Sequence, residues 1–143
     1  MKNPIVIILL LCISTAVFFA QTKSIEPEVQ SAVNSLIDLC EKDQYDKIAS
    51  LIIYNGKDDS RNMKDTYNYS DRKEATAVKR IGKKIKAFID LSDSHKFGKF
   101  SKKVENKITK LNQEVIFING EQELVTTFTF TSLNDKLLLL DFE

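Results

Sequence analysis

This chain has no tryptophan, one histidine, two cysteines, two prolines and four glycines in its 143 residues. Each shortage removes a class of protein. So little glycine and proline excludes a collagen-like or linker-like chain. A single histidine, His95, leaves no second imidazole for a His-rich metal site, and no definite partner for a triad is legible beside it. No CxxC, HExxH, GxGxxG or GxxxxGK[ST] pattern occurs, so no motif asks for a metal, a nucleotide or any other cofactor. Neither sign of charge dominates: 21 Lys and Arg stand against 20 Asp and Glu, net +1, which excludes a polycation that coats nucleic acid. Long hydrophobic runs are also scarce. The one example, Ile5 through Phe19, is shorter than the roughly 20 residues a bilayer-spanning helix needs.

That run suits the apolar region of an export signal, after the weakly basic Met1-Lys2 start. A cut after Ala20 is expected, although Phe18 occupies a position where a small residue is preferred. Leu11 precedes Cys12 where a lipoprotein signal wants a small residue, so a lipoprotein is not expected. The reading is therefore a signal peptide over 1–20 and one domain over 21–143, exported to a periplasmic or external space, with no membrane span in the mature chain. Export leaves Cys40 as the only cysteine, so no internal disulfide can form. Core burial alone must hold the domain, with Cys40 as core filler beside Leu36 and Ile37.

The N-terminal third has helical periodicity. Pro27 suits a first turn, and Val29, Val33, Leu36, Ile37 and Cys40 form one apolar stripe. Asp43 is expected to cap a shorter helix carrying Tyr45, Ile48, Leu51 and Ile52, ended by Asn55-Gly56 with glycine in a left-handed turn. Residues 57–70 lack either period but carry Met63, Tyr67 and Tyr69, which reads as a loop folded back on the body. A third helix opens at Asp71, with Glu74 completing a capping box, and buries Ala75, Val78, Ile81, Ile85, Phe88 and Ile89. Gly82, weak in mid-helix, points to close packing there.

After Asp93 the period becomes two. Residues 100–109 read as one long irregular strand. Residues 114–118 and 121–131 read as a hairpin about a type I′ turn at Asn119-Gly120. A turn at Asn134-Asp135 leads to a last strand, 136–142, whose Leu137–Leu140 run predicts a central position. Helices followed by antiparallel strands give an α+β domain in two layers, three helices on a curved sheet of about four strands.

Three N-terminal helices and a bent meander resemble the NTF2-like (cystatin-like cone) superfamily. The residues that carry the resemblance are the Val33–Ile52 helix pair, the start of the sheet at Lys96-Phe97-Gly98-Lys99-Phe100 and the closing strand at Lys136–Phe142. It covers most of residues 24–143 and is nearest to secreted bacterial members. The resemblance implies a curved sheet around the helices, a conical pocket in some members and dimers through the sheet. The superfamily hosts isomerases, dehydratases and binding modules alike, so fold alone does not select among them.

No catalytic set is legible. His95 reads as a turn residue after the third helix, or as an acid or base at a pocket mouth. Asp141 shares a strand phase with Leu137 and Leu139, which would allow an inward carboxylate, yet no oxyanion donor accompanies it. Tyr54, Tyr67 and Tyr69 flank or lie in the long loop, either anchoring it or contacting a ligand. Charge is laid out in blocks: residues 72–110 carry net +9, residues 21–71 net −4 and residues 111–143 net −5. On the third helix Lys79, Arg80, Lys83, Lys84 and Lys86 form a basic surface. It either meets the acidic segments on folding or faces an anionic partner such as a polysaccharide, a lipid head group or an acidic protein. Export and the lack of interleaved aromatics argue against nucleic acid. The leading expectation is a non-enzymatic domain that binds a small ligand or a partner protein at the open end of its cone. Two alternatives stand beside it: an isomerase- or dehydratase-like enzyme with a buried Asp or Tyr, and an interaction module forming a homodimer through its sheet.

Overall fold

The computed structural model describes residues 24–143, and the predicted signal segment with its cut after Ala20 lies outside the described residues. Helix α1 (Glu26–Glu41) buries the predicted stripe Val29, Val33, Leu36, Ile37 and Cys40, with Pro27 in its first turn. It closes in a Schellman arrangement: the Gln44 N–H bonds to the Leu39 carbonyl and the Asp43 N–H to that of Cys40. Asp43 takes the left-handed position there, φ 54°, so it ends α1 instead of capping the next helix as the sequence predicts. Helix α2 is only Tyr45–Ala49. The chain is already extended at Ile52 and Ile53, so Gly56 terminates no helix and has no left-handed φ; a side chain there would strike the Tyr54 ring.

Helix α3 (Arg72–Asp90) opens as predicted, with the Asp71 carboxylate accepting from the N–H groups of Lys73 and Glu74. Glu74 does not reciprocate to Asp71. It accepts from the Asn68 N–H at 2.5 Å and from Arg61, tying the preceding loop to the helix. Val78, Gly82 and Ile85 are buried, and a Cβ on Gly82 would lie 2.8 Å from the Tyr45 ring, the close approach that excludes a larger residue.

Four antiparallel strands follow in the order β1-β2-β3-β4: Ser94–Glu105, Ile108–Asn119, Gln122–Leu133 and Lys136–Phe142. The single strand expected over 100–109 is instead two, split at Asn106-Lys107, where both residues have positive φ as a type I′ turn requires. The predicted turn at Asn119-Gly120 is shifted by one residue. Asn119 still pairs with Gln122, and Gly120 at φ 58° is the first of the two loop residues, which suits a type II′ turn. Asn119 is held in the strand because its side-chain amide donates to the Leu91 carbonyl at the end of α3.

Strand β4 is an edge strand, not the central one its leucine run predicts. Its free side is covered by the Leu51–Ile53 segment: the Leu139 N–H bonds to the Leu51 carbonyl, and the Ile53 N–H to that of Leu139. Alternating residues of β2 and β3, among them Leu111, Val115, Phe117, Phe128 and Phe130, join Val33, Leu36, Ile48, Ile52, Val78 and Ile85 in one apolar cluster. Fully buried Gln113 interrupts this face. Its amide donates to the Gly98 carbonyl inside the β1 bulge, where two residues oppose one of β2. Among the described residues no helix is long and apolar enough to cross a membrane.

Candidate functional site

A groove of about 580 Å³ runs between α3 and the outer edge of β4. Its floor is apolar: Ile52, Leu139 and Phe142 are 2%, 1% and 5% exposed, and Ile81 and Leu140 add to it. Lys73, Arg80 and Lys84 stand along the α3 wall, with Thr76 and Ala77 between them. Positions 73, 77, 80, 81 and 84 recur at helical spacing, so they share one flank over twelve residues, about 16 Å of helix. Tyr67 and Asn55 contribute from the loop side.

The loop wall is braced from behind. Arg61 donates to Glu74 at 2.6 Å, to Asp65 at 2.8 Å and to the Thr66 carbonyl, and its guanidinium lies 4.4 Å from the centre of the Tyr54 ring. Tyr54 in turn packs on Tyr67 at 5.3 Å. A chain of contacts therefore runs from helix α3 through Arg61 and Tyr54 to the tyrosine that lines the groove. The Arg61 guanidinium holds the Asp65 carboxyl below its ordinary range.

Of the residues singled out in the sequence, Tyr67, Arg80 and Lys84 meet in this groove. Tyr54 is 8% exposed and stands behind the wall, its hydroxyl accepting from the Asp58 N–H. Tyr69 lies under the Lys79 ammonium at 5.7 Å and packs against the core. His95 is not a turn residue: it belongs to β1, stacks near Phe97 and Phe117, and places Nε2 3.1 Å from Asn34 Oδ1. Lys86 pairs with Asp43 at 2.7 Å. That Lys73 and the Leu139–Phe142 edge line the same groove is not readable from spacing, because α3 and β4 lie far apart in sequence.

Charge on the groove flank is not neutralised internally. Among the described residues Lys73 and Arg80 make no ion pair, and Lys84 donates to the Phe142 carbonyl at 2.8 Å. Among the described residues Asp141 is the one carboxylate of the lining. It is exposed because Leu140 forms a bulge opposite β3, which reverses the strand phase and gives Phe142 the inward place that alternation offered to Asp141. Its Oδ1 accepts from the Phe142 N–H.

Buried polar side chains among the described residues are Gln113, Thr126 and Thr131, with no Asp or Glu. Cys40 is buried, which pushes its thiol up to about 12, far from thiolate chemistry at neutral pH. No group of three or more His, Cys, Asp or Glu among the described residues is placed to hold a metal ion.

No family model matches the sequence, and no curated protein matches it. Among solved structures, a variant of the designed NTF2 protein Rd1NTF2_05 is similar at 14% identity, over 84% of this chain and 98% of that one, with a TM-score of 0.51. At that identity the likeness is one of fold: the chain has an NTF2-like α+β arrangement.

Proposed function

We propose that this NTF2-like domain is an exported, non-catalytic binding protein that takes a small molecule in the groove between α3 and β4. The groove itself carries the reading. Its 580 Å³ fall within the span of about 300–1,000 Å³ usual for small-molecule sites, and its floor is greasy with a few polar groups at the rim. Export is supported by the Ile5–Phe19 run after its weakly basic start. A thermal-shift screen of small molecules tests the binding. Ligands that bind the folded state raise Tm, and replacing Ala77 on the α3 wall by tryptophan should abolish that rise. Hits that stabilise Ala77→Trp as well as the wild type would place binding elsewhere.

A second reading rests on the sheet's outer face. Val125 is 59% exposed there, opposite Ile116 and near Ile118, with Thr127 and Thr129 on the same face. This patch would serve a homodimer. Light scattering of wild type and Val125→Lys at high concentration decides it: a dimer that the lysine dissociates supports this reading, and a monomer in both ends it.

A further inference from the structure

We infer that the groove's ligand is an amphipathic anion, a carboxylate or phosphate borne on an apolar body; this rests on the binding reading above. The apolar floor and the basic wall are two halves of one lining, and each half restricts the ligand in its own way. A fully polar anion would cover Ile81, Leu139, Leu140 and Phe142 without gaining from them. A neutral apolar molecule would leave Lys73 and Arg80 as they are, cations with no ion pair among the described residues. A cation would be repelled by three like charges against the single Asp141, whose Oδ1 already accepts from the Phe142 N–H. Only a molecule with both an acidic head and a greasy body satisfies the whole lining.

Arg80 is the natural seat for the head. Its planar guanidinium can donate two parallel N–H bonds to a carboxylate or phosphate. It lies one turn from Lys84 and two turns from Lys73, so a second cation is within reach of the same head. Lys84 is held at the other wall by the Phe142 carbonyl, which keeps its ammonium at the boundary between floor and rim. The hydrocarbon then runs over Ile81 and Leu140, the part-exposed apolar residues of the lining, above Ile52, Leu139 and Phe142, which are buried in the core.

Titration of the protein with decanoate, decyl phosphate, decan-1-ol and decyltrimethylammonium, read by amide shifts of residues 73–84 and 139–142, tests this. Both anions should shift those amides, bind at least tenfold tighter than decanol and weaken as salt is added, while the cation leaves the groove unperturbed. Arg80→Gln should weaken decanoate at least tenfold. Lys86→Gln, the same charge change outside the groove, should leave decanoate affinity unchanged. Decanol binding the groove as tightly as decanoate would overturn the anionic class and leave the groove reading standing. Equal weakening in the two variants would overturn it too, by tracing the effect to net charge. Shifts at these amides only with phosphatidylglycerol vesicles would assign the surface to a membrane instead. Probes that bind without touching these amides, or not at all, would overturn both the groove reading and this inference.

Discussion

Helix α3 carries basic residues on two flanks of one buried stripe, and the flanks have different surroundings. On one side Lys86 reaches Asp43 and the Glu41 carbonyl, Lys79 lies over Tyr69, and the Tyr45 ring covers Gly82. Here the turn between α1 and α2 brings an acid to the base. The Lys86 ammonium and the Tyr45 hydroxyl hold the Asp43 carboxyl below its ordinary value, and the bond to Asp43 pushes the Tyr45 hydroxyl up to about 12. On the other side Lys73, Arg80 and Lys84 face the edge of β4 over an apolar floor, with no ion pair among the described residues. Two flanks built from the same residue types thus differ in what they do. One fastens helix to helix, and the other keeps its charge available.

The severest way to break the contrast is to remove what the flanks share. Ile85 is fully buried between them, and Ile85→Ala should cost about 2–5 kcal/mol by chemical denaturation, from the lost burial and the cavity left behind. A cost under 1 kcal/mol would mean that α3 is not the common support. Next comes the groove's far wall. Arg61→Ala removes the contacts to Glu74, Asp65 and Tyr54, so amides 54–67 should exchange faster and protease should cut the loop, with the sheet's protection unchanged. Unaltered exchange at Tyr67 would show that the wall stands without this brace.

Asp43→Asn sharpens the fastened flank alone, since asparagine tolerates the left-handed backbone that Asp43 adopts. Because the folded carboxyl lies below its ordinary 3.8, its contribution is complete above that value and is lost as pH falls through the depressed folded value. The variant should therefore be less stable than the wild type at neutral pH, and the gap should close in strong acid. A gap that persists in strong acid would trace it to packing and not to the ion pair. The smallest effect belongs to the open flank. Arg80→Gln relieves the like-charge spacing with Lys84 and should stabilise the apo protein by about 0.2–0.5 kcal/mol at low salt. Destabilisation instead would reveal a structural partner for Arg80.

Much of this fold was legible, and the failures have local causes. The α1 and α3 stripes, the Asp71 cap and the loop anchored through Tyr67 and Tyr69 all follow from patterns confined to neighbouring residues. The first hairpin was missed because its turn is Asn106-Lys107, without glycine, inside a lysine-rich stretch that blurs the alternation. Asp141 could not be assigned a face, since one bulged residue, Leu140, reverses the phase of everything after it. Of the groove, Tyr67, Arg80 and Lys84 were visible as residues of the right chemistry, while their meeting with Lys73 and the β4 edge was not.

What the sequence alone determined was local: where helices begin and which faces they bury, where the period turns to two, and how charge of each sign is blocked along the chain. Such features depend on residues within a few positions of one another, so spacing reports them. Tertiary structure decided which lysine found an acid, which strand became an edge and which wall faced which floor. Those outcomes depend on bulges, a backbone sign at Asp43 and contacts between α3 and β4, separations over which periodicity carries no information.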